Sequence, residues 1–200
     1  MKKIDTIIFD WAGVFCSPGE LFSHTRLLKT VGLTAAQMEQ RVKPVQNAYY
    51  RGKISGRAFW RHVFKEFDIA GFTFKELNDA YLASYRPYPE ILRLPSKLKP
   101  RYTVALLSNL TEDMMRHVVK MHELRPKFHR LFFSNREGRL KPELELMYSV
   151  LRALKAKPAT TLFIDDSKNN IVAAKALGIH TLHVKTPKRL IADLRRMNLL

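Results

Sequence analysis

Five short β-rich runs separated by helical stretches constrain this chain most: Ile4 to Phe9, Tyr102 to Leu107, Leu131 to Ser134, Thr161 to Ile164 and Thr181 to Val184. Between the last four, apolar residues recur at helical spacing. Met114, Val118 and Met121 make one such stripe, and Leu144, Met147, Leu151 and Leu154 a second. Ile171, Ala174 and Leu177 make a third, which Gly178 should end. Strand and helix in alternation predict an α/β fold, a parallel sheet covered on both faces. Sites in such sheets form at the carboxyl ends of the strands. Asp10, Ser108 with Asn109, and Asp165 with Asp166 all fall there.

The alternation breaks between about Phe15 and Tyr85, which reads as consecutive helices. Leu21, Leu28 and Val31 form one stripe, and Met38, Val42, Val45 and Tyr49 the next. Phe59, Val63 and Phe67 follow, then Leu77, Tyr81 and Tyr85, with Gly52, Gly56 and Gly71 as punctuation. Arg86-Pro87-Tyr88-Pro89 should stop the last helix, because proline disfavours helix in the residue before it. We read this stretch as a small helical cap over the sheet. The predicted division is a core of residues 1–14 and 87–200 and a cap of residues 15–86.

With 200 residues, 46% of them hydrophobic, the chain can bury a full core. No apolar run is long enough to span a bilayer, so no membrane association is expected. The two N-terminal lysines lead at once into a strand rather than a signal peptide. A single cysteine, Cys16, excludes an intramolecular disulfide and suggests a cytoplasmic protein. Lys and Arg number 35 against 18 acidic residues, a net charge of +17 that attracts anionic substrates or polyanions. The cations are spread along the chain and are not interleaved with aromatics as a nucleic-acid stacking platform would be. Nucleic acid is therefore a possible but disfavoured partner.

Four segments carry chemistry. Asp10 ends the first strand, where a carboxylate can attack a phosphoryl or carbon centre. The Trp11-Ala12-Gly13 turn after it would offer backbone N–H groups to developing negative charge. An aspartate at such a place is also a common turn former. Ser108 and Asn109 could hold a phosphate oxygen and orient the nucleophile, or else cap the following helix, with Thr111 and Glu112 as competing caps. Lys141, before a helix that Pro142 would start well, could neutralise the carboxylate and the phosphate together. Asp165-Asp166 are adjacent carboxylates that need a cation. With Asp10 they form a hard, oxygen-only set suited to Mg²⁺, and Asn170 could orient one of them.

These four segments, in this order, resemble the motifs of the haloacid dehalogenase superfamily of aspartyl-nucleophile hydrolases. The resemblance implies a Rossmann-like three-layer core with an inserted cap, Asp10 as nucleophile, and Lys141 beside it. It makes Trp11, Ala12, Ser108 and Asn109 phosphate-binding. It makes Asp10, the Ala12 carbonyl and Asp166 the Mg²⁺ ligands, with Asp165 and Asn170 in support. Arg51-Gly52-Lys53-Ile54-Ser55 with Phe59-Trp60 is similar to sugar-phosphate phosphatases and to the phosphatase domains of epoxide hydrolases. The implied activity is hydrolysis of a small phosphorylated metabolite.

One position departs from that pattern. The family carries a second aspartate two residues after the first, and here it is Ala12. The substitution spares the main-chain metal ligand and removes a general acid and base. Glu20 or His24 of the cap, water or the substrate would then supply the proton. Asp-Trp-Ala-Gly also resembles phosphonoacetaldehyde hydrolases, which would use a cap lysine, with Lys53 the candidate. A dehalogenase needs no proton but has no use for Asp165-Asp166. A non-catalytic polyanion-binding scaffold is the remaining alternative. Glu20, His24, Tyr50 and Arg57 are candidates for facing the substrate.

Overall fold

The computed structural model describes residues 3–200, so Met1 and Lys2 of the predicted core segment lie outside the described residues. Five strands, β1 (Thr6–Phe9), β2 (Thr103–Ser108), β3 (Arg130–Phe133), β4 (Thr161–Asp165) and β5 (His180–His183), form one sheet in the order β3-β2-β1-β4-β5. Every pairing is parallel. The α/β expectation holds, and each of the five runs contributes its strand.

Register explains why the strands read as continuous apolar runs. Ile8 pairs with Ala105 and Phe163 and faces one layer, while Ile7 and Phe9 pair with Val104, Leu162, Leu106 and Ile164 and face the other. Both faces are buried, so the period-two alternation separates two cores and not core from solvent. The core over Ile8 is closed by Leu146, Met147, Val150 and Leu151 of helix Leu144–Leu154. The other core is continuous with the apolar interior of the helical insertion.

Three details of the core helices differ from expectation. Met121 is 62% exposed, and the buried face of helix Glu112–Met121 is Met114, Met115 and Val118. Leu144 is also exposed, because its helix begins there and buries the next turn instead. Pro142 starts no helix. It sits two residues earlier, in the turn that Glu143 closes by donating its N–H to the Leu140 carbonyl at 2.8 Å.

The insertion holds five helices: α1 (Thr25–Val31), α2 (Ala35–Arg41), α3 (Lys43–Tyr50), α4 (Gly56–Glu66) and α5 (Phe74–Ala83). The stripe expected from Met38 to Tyr49 is split at Val42, since Pro44 falls in the first turn of α3 and cannot continue α2. Leu21 is buried in a turn ahead of α1, whose own buried residue is Leu27. Thr34, Ser55 and Thr73 cap α2, α4 and α5 with their hydroxyls, each satisfying an otherwise orphan N–H. The chain leaves the sheet and returns to it side by side: Ser17 N–H donates to Arg86 O, and Tyr88 N–H to Phe15 O, both at 2.8 Å.

Candidate active site

At the carboxyl edge of the sheet, β1, β2 and β4 bring three of the four sequence segments together, and the loop before helix Leu144–Leu154 adds the fourth. Asp10, Ser108, Lys141 and Asp165 are all buried. Ser108 Oγ donates to Asp10 Oδ1 at 2.8 Å. Lys141 Nζ lies 2.7 Å from Asp10 Oδ1 and 2.7 Å from Asp165 Oδ2. The helix-capping alternative for Ser108 falls away, because Thr111 caps helix Glu112–Met121 through its hydroxyl. That cap leaves Ser108 free for Asp10.

Asn109 holds the lysine loop. Its amide donates to the Lys141 carbonyl at 3.1 Å and accepts from the Lys141 N–H at 2.9 Å. It therefore pins the backbone of the lysine, with the second amide hydrogen and the main-chain N–H left to meet a phosphate. Asn170 Nδ2 bonds both oxygens of Asp165 at 3.0 Å, and Ser167 N–H adds a bond at 2.8 Å to Oδ1. Asp165 is thus saturated by donors, whereas Asp166, half-buried, takes no side-chain donor among the described residues. A ligand for a cation is better placed at Asp166 than at Asp165.

Oxygen atoms of Asp10, Asp165 and Asp166 lie within 4.8 Å of one another. Gly13 makes that approach possible, since its φ is +78° and a side chain there would overlap the Asp166 carboxylate. Three carboxylates against one lysine leave the cluster short of positive charge. Burial, with Asp165 adding its charge, pushes the Asp10 carboxyl from 3.8 up to about 7, against the pull of Lys141 and Ser108. Burial and Asp165 likewise raise Asp166. Burial works to lower the Lys141 pKa, but the charges of Asp10 and Asp165 outweigh it and hold the ammonium above its ordinary value. The clustered carboxylate oxygens of Asp10, Asp165 and Asp166 are a donor set that fits a hard divalent cation.

Trp11 turns its ring away from this edge, stacking on Phe15 at 5.6 Å and meeting His122 at 5.2 Å, so only its N–H can serve an anion. Ala12 is half-buried, and its methyl packs at the margin of the larger core. Cys16 is buried, and burial with the nearby Asp10 and Asp166 charges pushes its thiol up, so it stays protonated and unreactive.

The cap candidates separate clearly. His24 is occupied inside the cap: Nδ1 accepts from Leu27 N–H at 3.3 Å to cap α1, and Nε2 lies 3.2 Å from Glu76. Arg57 lies over the Phe74 ring at 5.7 Å. Glu20 is exposed and lines a concavity of about 460 Å³ with Ser17, Ser84 and Arg86, where the insertion joins the sheet. Lys53 is exposed in the turn after α3. Tyr50 places its hydroxyl 3.5 Å from that of Tyr81.

Sequence reasoning missed the contacts that fasten the insertion to these loops. Arg51 forms a two-pronged ion pair with Glu143, at 2.5 and 3.1 Å, and donates to the Gly138 carbonyl at 3.3 Å. Tyr49 donates to Asp113 at 2.7 Å, and Ser134 Oγ to the Tyr50 carbonyl at 2.7 Å. Within the core, and missed in the same way, His183 Nε2 of β5 lies 2.8 Å from the Asp166 carbonyl. No spacing rule points to any of these, because each joins residues 17 or more apart in sequence.

The haloacid dehalogenase-like hydrolase model matches residues 4–178. The sesquiterpene phosphatase astK of Aspergillus oryzae is 25% identical over 193 residues, covering 95% of this chain and 94% of that protein. Bifunctional epoxide hydrolase 2 of Rattus norvegicus is 28% identical over 131 residues, which is 63% of this chain but only 24% of that longer protein. A HAD family enzyme from Bacteroides thetaiotaomicron, solved with magnesium and inorganic phosphate, superposes with a TM-score of 0.78 at 23% identity, covering 91% of this chain and 94% of that one. A form of it with an aspartate changed to alanine was also solved with both. A predicted HAD-like family hydrolase from Porphyromonas gingivalis has a TM-score of 0.78 at 24% identity over 98% of each chain. A parallel sheet with an aspartate at the end of its first strand, a matching family model over most of its length and a phosphatase relative of nearly the same extent identify the chain as a hydrolase of the haloacid dehalogenase-like family.

Proposed function

We propose that this hydrolase is a Mg²⁺-dependent phosphatase acting on a small phosphorylated metabolite, with residues 1–14 and 87–200 as its core domain and 15–86 as its cap. The observation that carries the reading is the convergence of Ser108 Oγ and Lys141 Nζ on one oxygen of Asp10, beside two further carboxylates. Asp10 is the nucleophile. One of its carboxylate oxygens forms a bond to phosphorus as the bond to the leaving oxygen breaks, and water then attacks the aspartyl-phosphate and returns the free carboxylate. Ser108 and Lys141 fix the plane of that carboxylate, and Lys141 balances its charge and the charge of the incoming phosphate. The N–H groups of Trp11, Ala12 and Asn109 are the candidate anion donors. Asp10, the Ala12 carbonyl and Asp166 would hold the Mg²⁺, with Asp165 and Asn170 setting the arrangement from behind. Bound there, Mg²⁺ supplies the positive charge that Lys141 alone does not, shielding phosphate and carboxylates from one another.

No carboxylate stands at position 12 to protonate the leaving oxygen, so substrates that leave as stable anions should react best. The phosphatase relative and the phosphate-bearing solved neighbour support a phosphate monoester as substrate. The test is phosphate release from aryl and alkyl phosphates with Mg²⁺ titrated from zero against a chelator. Aryl turnover should vanish on chelation, return with Mg²⁺ and exceed alkyl turnover by about 10² or more. Turnover indifferent to chelation would overturn the reading.

Stability should carry the same signature. A carboxyl at about 7 in the folded chain and near 3.8 when unfolded binds more protons folded. The stability it contributes is complete below about pH 4 and is lost as pH rises through 7, an effect on the order of 4 kcal/mol. Chelated protein should therefore weaken between about pH 4 and 7 in urea unfolding, and saturating Mg²⁺ should flatten that decline by favouring the ionised form. The same slope with and without Mg²⁺ would place the cation elsewhere.

A further inference from the structure

The Lys141 loop is gripped from two sides, and only one grip belongs to the sheet. On the sheet side Asn109 bonds both backbone groups of Lys141. On the other side stands Glu143, two residues on. It is the residue before helix Leu144–Leu154, yet its carboxylate makes no capping bond to that helix. It turns back instead, accepting from Leu140 N–H at 3.2 Å, while Glu143 N–H donates to Leu140 O at 2.8 Å. The segment 140–143 is thus closed on itself with Lys141 inside it. The cation on that carboxylate is Arg51, from the C-terminal end of α3, which also bonds Gly138 O ahead of the segment.

The approach of α3 is built for contact. Gly52, at φ +70°, lies so close to the Asn135 carbonyl that a side chain would collide with it. Ser134 Oγ joins the Tyr50 carbonyl to the Leu110 N–H, on the loop that follows Ser108 and carries Asn109. The guanidinium–carboxylate fork is directional as well as charged, so it fixes an angle and not merely a distance. The arm at residues 50–52 therefore reaches both loops that hold the lysine.

We propose that Arg51 is a positioning residue: through Glu143 it holds the Lys141 ammonium between Asp10 and Asp165, so that seating of the helical insertion completes the charge arrangement of the site. Arg51 touches none of the reacting groups itself. The proposal rests on the phosphatase reading only for its kinetic consequence, and its first readout needs no turnover.

That readout is the rate at which an amine-acylating reagent modifies Lys141, followed by peptide mass spectrometry with exposed Lys155 as internal control. Lys141 is buried and doubly ion-paired, so it should react slowly in the unaltered protein. In Arg51→Ala the Lys141 rate should rise about tenfold with the Lys155 rate unchanged, and in Arg51→Lys, which keeps charge but not the fork, it should rise less. The charge swap Arg51→Glu with Glu143→Arg should recover part of the protection. With aryl phosphate as substrate, Arg51→Ala should lower kcat by about 10- to 100-fold and move KM less, the mark of a displaced group and not of lost substrate binding. Unchanged Lys141 labelling in folded Arg51→Ala overturns the proposal. If that variant does not fold, Glu143→Gln decides in its place, by the same rise or its absence. Should the protein release no phosphate from any ester, the labelling result still stands or falls alone.

Discussion

Asp10→Asn should abolish turnover of every substrate, by roughly 10⁴-fold or more, while leaving the protein folded and the metal-free form no less stable. The amide keeps the shape of the carboxylate and an oxygen that can still accept from Ser108 and Lys141. What it lacks is a nucleophilic charge. It also relieves a site in which three carboxylates share one lysine, and there the carboxyl of Asp10 is pushed up to about 7 by burial. The pH dependence of metal-free stability should flatten, and the thermal shift given by Mg²⁺ should shrink, because one of its oxygen ligands is lost. Wild-type protein quenched in acid during turnover should carry a phosphoryl group on the peptide containing Asp10, and the variant none. Equal turnover in both proteins would remove Asp10 from the chemistry and with it the whole reaction scheme.

The sheet and its site edge were legible in the sequence, because each rests on local signals that one strand carries alone. A parallel strand buried on both faces must be apolar throughout, so Ile7, Ile8 and Phe9 announced themselves. Asp10, Asp165 and Ser108 then followed, as the first polar groups after such runs. Asn170 was legible through helical spacing, although it serves Asp165 and not its neighbour. The insertion was readable as helices but not in its divisions. Val42 looks like part of one apolar stripe, and only the proline at 44 says that the axis changes there. What is not legible in the sequence depends on distant partners. Nothing in Asn109 itself says that its amide will bond a backbone 32 residues away. Arg51 and Glu143 are separated by 92 residues, and each reads alone as an ordinary surface charge. His24 was a plausible proton donor only while Leu27 and Glu76 were out of view.

Ala12→Asp is the complementary experiment, because it adds the one group the site lacks. Turnover of alkyl phosphates should rise by about 10² to 10⁴, equivalent to roughly 3 to 5 kcal/mol of barrier, while aryl turnover changes little. The asymmetry is the informative part. A phenolate departs without a proton and gains nothing from an acid, whereas an alkoxide leaving into a site with no acid must take its proton from water. The new side chain would begin where a methyl now packs at the margin of the larger core, and it would place a fourth carboxylate near Asp10 and Asp166. A stability loss of about 1 to 3 kcal/mol is expected, so activity must be compared at a temperature where both proteins are folded. Ala12→Asn, which has the same size but cannot donate or accept a proton in the same way, should give the stability loss without the alkyl gain. If Ala12→Asp is folded, binds Mg²⁺ and still shows no alkyl gain, the proton already has a source, and Glu20, exposed at the mouth where the insertion joins the sheet, becomes the residue to remove next.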